Sequence, residues 1–326
     1  MIDTTILLKA YRMMSQVKAM AETYEANRSV CKYVHSTSRG HEAIQLATAF
    51  QLQPYDFVSP YYRDESIIMG IGFTPYEQML QLLAKGNDIF TGGREYYSHP
   101  NYNGDDKPTM IHQSSATGMQ AIPTTGLAQG VQYLENHLLG RLKKGANGEL
   151  PIVICSLGDA SITEGEVSEA FQFAVLKQLP IIYLVQDNDW GISVTADEAR
   201  AMNAFEFAAG FKGMNRVQVD GSDFEASYSV MKDVCEFVRR ERKPYLVHAQ
   251  VPLLGHHTSG VRKEFYRSDD DWAKHEEHDP NPKLRKKLIE RNVSEEIIAE
   301  VEKEAAELVA ADFAKAVAAP DPDPST

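Results

Sequence analysis

Apolar side chains recur at helical spacing from the start of the chain. Ile6, Leu7, Tyr11, Met14, Val17 and Met20 share one face and predict a helix over residues 5–27. A polar stretch at 36–40 reads as a loop, and helical character returns over 41–51. Residues 56–63 (DFVSPYYR) predict a short strand running into a loop, and 75–85 another helix. Residues 86–113 form a long segment rich in glycine, asparagine and tyrosine. A loop of that length inside a compact domain is more often functional than idle. Pro123 then opens a predicted helix in which Gly126 and Gly130 lie four residues apart on one face. Each glycine costs about 1 kcal/mol of helix propensity. The pair fits either a tight contact inside the chain or a subunit interface.

The middle of the chain carries the clearest pattern. Residues 152–157 are a continuous apolar run ending in Gly158-Asp159, and 164–178 are helical, with Val167, Ala170, Phe171, Ala174 and Val175 on one face. Pro180 leads a second apolar run, 181–185, which ends in Gln186-Asp187-Asn188. Strand, helix and strand with fully apolar strands predict a right-handed βαβ unit in a buried parallel sheet. A further strand is predicted at 245–250 and a terminal helix at 294–318, after a strongly charged stretch at 262–292. The expected fold is α/β, a mostly parallel central sheet flanked by helices, with helical extensions at both ends. One domain is expected over 1–318, and the Pro/Asp-rich residues 319–326 read as a disordered tail or linker. There is no internal repeat.

Composition narrows the function. A formal net charge of −13 over 326 residues argues against nucleic acid or an anionic membrane surface as partner. An acidic protein can still hold an anionic ligand if a metal or a helix N-terminus supplies local positive charge. Cys31, Cys155 and Cys235 are widely spaced and odd in number, so reduced thiols are expected rather than a disulfide framework. There is no secretory layout at the N-terminus and no apolar run of roughly 20 residues. A soluble, cytoplasmic protein is the expectation.

In an open α/β sheet, ligands collect beyond the carboxyl ends of the strands. Asp159 ends one predicted strand and Asn188 the next. A carboxylate and an amide carbonyl suit a hard cation such as Mg²⁺, which keeps positions open for phosphate oxygens. A helix starting near Thr163 would add unpaired backbone N–H groups. The competing reading is structural, since an aspartate after a strand often caps the following helix. No Gly-x-Gly-x-x-Gly turn follows an early strand, which argues against a nicotinamide-binding enzyme.

GDASITEGEVSEAFQFAVLKQLPIIYLVQDNDWGIS at 158–193 resembles the thiamine-diphosphate signature of the decarboxylating component of 2-oxoacid dehydrogenase complexes. That signature opens on Gly-Asp-Gly or Gly-Glu-Gly and closes about 30 residues later on Asn-Asn. The resemblance extends in order through RGHEAI (39–44), PYYRDESIIMGIG (60–72), IHQSSATGMQAIPTTGLAQG (111–130) and GHHTSG (255–260). It implies the thiamine-diphosphate-binding fold and an alpha subunit closest to the branched-chain type, with a pyruvate or acetoin enzyme, or a non-catalytic scaffold, as alternatives. By the same resemblance, Asp159, Asn188 and the carbonyl of Trp190 hold Mg²⁺. Gly158, Ala160 and Ser161 line thiamine diphosphate, Tyr62 and Arg63 meet its diphosphate, and Gly118 and Met119 pass its aminopyrimidine side. His257 faces the reacting centre as the catalytic histidine. Gln186 stands where some relatives place a phosphate-contacting arginine. Ala160 replaces the second glycine of the signature and Asp187 the first asparagine. The implied partners are a beta subunit, in an assembly of two alpha and two beta chains, a lipoyl-bearing acyltransferase component and the 2-oxoacid.

Overall fold

A computed structural model describes residues 2–111, 114 and 116–325. His112, Gln113 and Ser115, at the end of the long loop and inside the 111–130 motif, lie outside the described residues, as do Met1 and Thr326. Eight strands are present among the described residues: β1 (Phe57–Ser59), β2 (Thr109–Met110), β3 (Val153–Gly158), β4 (Ile181–Asp187), β5 (Trp190–Gly191), β6 (Val194–Thr195), β7 (Asn215–Asp220) and β8 (Tyr245–Gln250). Six of them form one parallel sheet in the order β2-β1-β3-β4-β8-β7, and β5 and β6 make a small antiparallel hairpin.

The apolar runs become the central strands because both of their faces are covered. Ile154, Ile182 and Leu184 face one buried cluster, and Val153, Cys155, Leu157, Ile181, Tyr183 and Val185 face the other. This is the period-two alternation of a strand with apolar residues on both sides. Helices α1 (Thr4–Ala26), α2 (Glu42–Ala49), α3 (Glu65–Gly70) and α4 (Pro75–Leu82) precede the central strands. α5 (Ala121–His137) and α6 (Gly165–Lys177) cover one sheet face. After the hairpin come α7 (Ala196–Ala199), α8 (Ala204–Ala208) and α9 (Phe224–Glu241), then α10 (Asp269–Glu276), α11 (Pro280–Glu290) and α12 (Glu295–Val317). α1, α2 and α9 pack on the opposite face, and α1, α4 and α12 share a third cluster away from the sheet. No helix among the described residues is long and apolar enough to cross a membrane.

Several details differ from expectation. α5 begins at Ala121, two residues before Pro123, which still sits in the first turn, where its missing N–H costs nothing. Gly126 and Gly130 are exposed, and a methyl built on either would meet no atom within 4 Å. Neither makes a close contact at that position among the described residues. The charged stretch at 262–292 folds into α10 and α11, the latter started by the Asp279 cap and Pro280 in its first turn. β7 and α9 were not anticipated, although α9 buries Phe224, Met231, Val234, Cys235 and Val238 along one stripe. The start of the terminal segment is held: Gly86 N–H donates to the Pro320 carbonyl at 2.9 Å, and Lys85 pairs with Asp321 at 2.9 Å.

Two buried polar joints fix the sheet to its helices. Asp56, with 0% exposure, receives both Arg239 Nη1 and Nη2 at 2.8 Å, together with the Gln53 and Ile152 N–H groups. The fork ties α9 to the entrance of β1 and β3. At the start of α3, Glu65 accepts from Ser38 N–H at 2.7 Å and from the Tyr97 hydroxyl. Burial pushes the Glu65 carboxyl up to about 7 against those two donors.

Two outcomes follow for stability. Asp56→Asn leaves the half-buried Arg239 guanidinium without its buried counter-charge and is expected to cost about 3 kcal/mol in chemical denaturation. Glu65 has a folded pKa above its unfolded one, so its contribution is complete in acid and is lost as pH rises through about 7. Glu65→Gln should therefore gain stability relative to wild type between pH 5 and pH 8, by about 2 kcal/mol. A difference that stays constant across that range contradicts the burial argument.

Candidate active site

The parallel register brings the chemistry to one edge. Gly158 at the end of β3 pairs with Gln186 on β4, so Asp159 and Asn188 both follow the carboxyl ends of adjacent central strands. Both line one cavity of about 570 Å³. Tyr62, Arg63, Gly118, Gly158, Ala160, Ser161, Trp190 and His257 line it too. The loop after β1 supplies Tyr62 and Arg63, the loop after β8 supplies His257, and a 3₁₀ turn at Asp159–Thr163 supplies Ala160 and Ser161. α6 then starts at Gly165 without a side-chain cap.

Two of the sequence-predicted residues are not brought to this cavity. Met119 is 49% exposed and is not part of the cavity lining, although its neighbour Gly118 is on the wall. Gly118 needs to be glycine: its φ is +78°, and a methyl there would come within 3.0 Å of Glu164 Cβ. Gln186 is fully buried behind the wall. Its carbonyl accepts from His41 Nδ1 and Gln45 Nε2, both at 2.8 Å, and its amide donates to Asp64 Oδ1 at 2.8 Å and Ser156 Oγ at 2.9 Å. With every bond made inside the protein, this amide is a joint between α2, β3 and β4, with nothing left for a phosphate.

The same joint orients Asn188. Its Nδ2 donates to His41 Nε2 at 3.1 Å, while its Oδ1 accepts the Trp190 N–H at 3.1 Å and keeps a second lone pair. Burial, then the Arg63 charge, push His41 down to about 3. The ring is therefore neutral at pH 7 and able to accept that bond. Ala160 fits without strain, since its φ is not in the left-handed range, and its methyl lies where a Cβ on Gly191 would approach to 3.1 Å.

The electrostatics are concentrated. Burial, then the neighbouring Asp187, raise the Asp159 carboxyl, and Arg200 opposes them. For Asp187, burial is outweighed by His248 and Arg200, which hold its carboxyl below the usual range. Arg200 Nη1 pairs with Asp159 Oδ2, and Nη2 with both Asp187 oxygens at 2.7 and 2.8 Å. In the same cavity, Arg63 is 1% exposed, and among the described residues its Nη2 donates to the His257 carbonyl at 3.2 Å. Arg63 Nε and Nη1 and His257 Nδ1 are buried without a hydrogen-bond partner among the described residues. Burial, then Arg63, push His257 down to about 3.

Buried donors with no partner are rare in a folded protein. A carboxylate and an amide carbonyl lining the same cavity as a guanidinium and an imidazole with nitrogens to spare fit a metal-bound diphosphate. Thiamine diphosphate with Mg²⁺ is compatible with this donor set. Among the described residues no group of three or more His, Cys, Asp or Glu side chains is arranged to hold a metal. A cation here would therefore draw on the amide, backbone carbonyls and phosphate oxygens beside Asp159.

Sequence reasoning missed Arg200, His41, His248 and the aromatic wall of Tyr96, Tyr97 and His99. The wall had a signal, since these residues lie in the long loop at 86–113. Arg200 and His41 had none in spacing, because their role depends on contacts 41 and 147 residues away.

A family model described as "Dehydrogenase E1 component" matches residues 10–325. The "2-oxoisovalerate dehydrogenase subunit alpha" of Bacillus subtilis (strain 168) is 30% identical over 244 residues, 74% of this chain and 69% of that protein. The "2-oxoisovalerate dehydrogenase subunit alpha 2, mitochondrial" of Arabidopsis thaliana is 27% identical over 269 residues, 82% of this chain and 53% of that protein. The "Pyruvate dehydrogenase E1 component subunit alpha" of Rickettsia bellii (strain RML369-C) is 27% identical over 277 residues, 83% and 78% of the two chains. The chain thus spans about half the length of the plant relatives it matches. With the match running over nearly every residue, the chain belongs to the dehydrogenase E1 component family.

Proposed function

We propose that this chain is the alpha subunit of a cytoplasmic 2-oxoacid dehydrogenase acting on branched-chain 2-oxoacids with thiamine diphosphate and Mg²⁺. The observation that carries the reading is the cavity where Asp159 and Asn188 meet the unpartnered Arg63 and His257 nitrogens. Relatives named for 2-oxoisovalerate support the branched-chain choice over pyruvate. The exposed Gly126 and Gly130 face of α5 is a surface on which a beta subunit can seat closely, and the acyl group passes to a lipoyl-bearing acyltransferase component.

When bound, thiamine diphosphate supplies the electron sink for loss of CO₂ from the 2-oxoacid. The protein's part is to bind, orient and keep water out. Asp159, Asn188 Oδ1 and the Trp190 carbonyl hold the cation, and His41 fixes which end of the Asn188 amide faces it. Arg63 offers forked donors to the diphosphate, with Tyr62 beside it at ring-to-guanidinium distance, 5.4 Å. His257, kept neutral, can make a hydrogen bond at Nδ1 without bringing a second positive charge beside Arg63.

Calorimetric titration of thiamine diphosphate with Mg²⁺ into the alpha–beta complex tests the site. Arg63→Gln should weaken binding by about 10–100-fold, the worth of hydrogen bonds to a charged group. Asp159→Ala should abolish the Mg²⁺-dependent part. No heat with wild type would favour a non-catalytic scaffold, and equal heats for wild type and Asp159→Ala would remove Asp159 from the metal site. The substrate choice is tested by rates with 2-oxoisovalerate and pyruvate in the reconstituted complex, where 2-oxoisovalerate is expected to have the higher kcat/KM and a pyruvate preference rejects the branched-chain reading.

A further inference from the structure

Behind the cavity wall, a chain of polar groups crosses four elements. Gln218 on β7 donates its amide to His248 Nδ1 at 3.0 Å, and His248 on β8 donates Nε2–H to Asp187 Oδ2 at 2.8 Å. Asp187 at the end of β4 grips Arg200 through both oxygens, and Arg200 reaches on to Asp159. Asp189 adds a third carboxylate, 3.9 Å from the same guanidinium. Arg200 follows α7 and is nearly buried, with 7% side-chain exposure. It does not line the cavity, whereas Asp159 does.

The amide bond into His248 Nδ1 places the histidine proton on Nε2 and leaves one orientation for Asp187. With Asp187 fixed, a planar fork satisfied on one side can offer its other edge in one direction only, toward Asp159. The position matters because the resembled signature has asparagine where this chain has Asp187. An amide there could not hold a guanidinium through two anionic oxygens. The extra carboxylate of this chain is thus answered by its own cation, shared with the expected metal ligand.

We infer that Arg200, anchored by Asp187 and His248, is a positioning residue that occupies one oxygen of Asp159 and competes with a divalent cation for it. The inference rests on the proposed metal role of Asp159. A bare cation has to displace a charge-assisted pair or share the carboxylate with it, so the metal alone is held weakly. Because the guanidinium stays gripped by Asp187, the competing charge remains within reach of Asp159 after displacement. A residue that merely staples the β5-β6 hairpin to the sheet would have no such effect on metal affinity.

The test is titration of the full chain with Mn²⁺ alone, reading free ion by its paramagnetic resonance signal. Arg200→Gln is expected to tighten Mn²⁺ by about tenfold, the effect of removing one nearby positive charge. Arg200→Lys, which keeps the charge, should stay near wild type. Unchanged or weaker Mn²⁺ binding in a cooperatively melting Arg200→Gln chain overturns the inference. Should that variant fail to fold, wild type decides: the restrained ¹⁵Nη1 signals of Arg200, assigned by their loss in Arg200→Lys, are expected to collapse on Mg²⁺ addition while Nη2 stays held by Asp187. Their persistence at saturating Mg²⁺ overturns it equally. Mn²⁺ that binds wild type neither alone nor with thiamine diphosphate would sink the proposed function too, whereas binding indifferent to Arg200 sinks only this inference.

Discussion

The pairing of β3 with β4 is the constraint on which the site depends. Val153 pairs with Ile181 and the register runs in step to Gly158 opposite Gln186. Both strands are apolar on both faces, so a slip of one residue would exchange the side chains packed on α5 and α6 with those packed on α2 and α9. Core packing therefore fixes where the strands end. The residues just beyond those ends, Asp159 and Asn188, inherit that precision without contributing to it.

Charge is then organised around that edge in two separate ways. On the cavity side, Arg63 and His257 keep nitrogens in reserve, a costly arrangement that is stable only because the surrounding loops over-determine it. Behind the wall, Asp187, Arg200 and His248 leave few donors idle. The contrast is between a satisfied network and an unsatisfied one, and only the unsatisfied nitrogens are left for a ligand in the cavity. Asp159 belongs to both, which is why its carboxyl is raised by burial and by Asp187 and yet held by Arg200.

Much of this was legible in the chain. The βαβ unit was readable because fully buried parallel strands leave uninterrupted apolar runs, and Asp159, Asn188, Arg63 and His257 fell within motifs of a known order. β7 escaped notice because an edge strand is half exposed and its alternation is weak, and α11 because its buried Leu284 and Leu288 are outnumbered by lysine and arginine. Gln186 reads as a phosphate contact by position alone; only the fold reveals that His41, Gln45, Asp64 and Ser156 absorb all of its bonds. Arg200 was out of reach for the same reason. Its partners are set by tertiary packing, which no local spacing encodes.

The central claim is that Asp159 and Asn188 share one cation that grips a diphosphate. A crystal structure of the alpha–beta complex grown with thiamine diphosphate and Mn²⁺, with anomalous data, tests it most directly. The account predicts an anomalous peak bonded to Asp159, Asn188 Oδ1 and the Trp190 carbonyl, with diphosphate oxygens completing the shell. A peak elsewhere, or diphosphate bound with no metal at these two side chains, would contradict it.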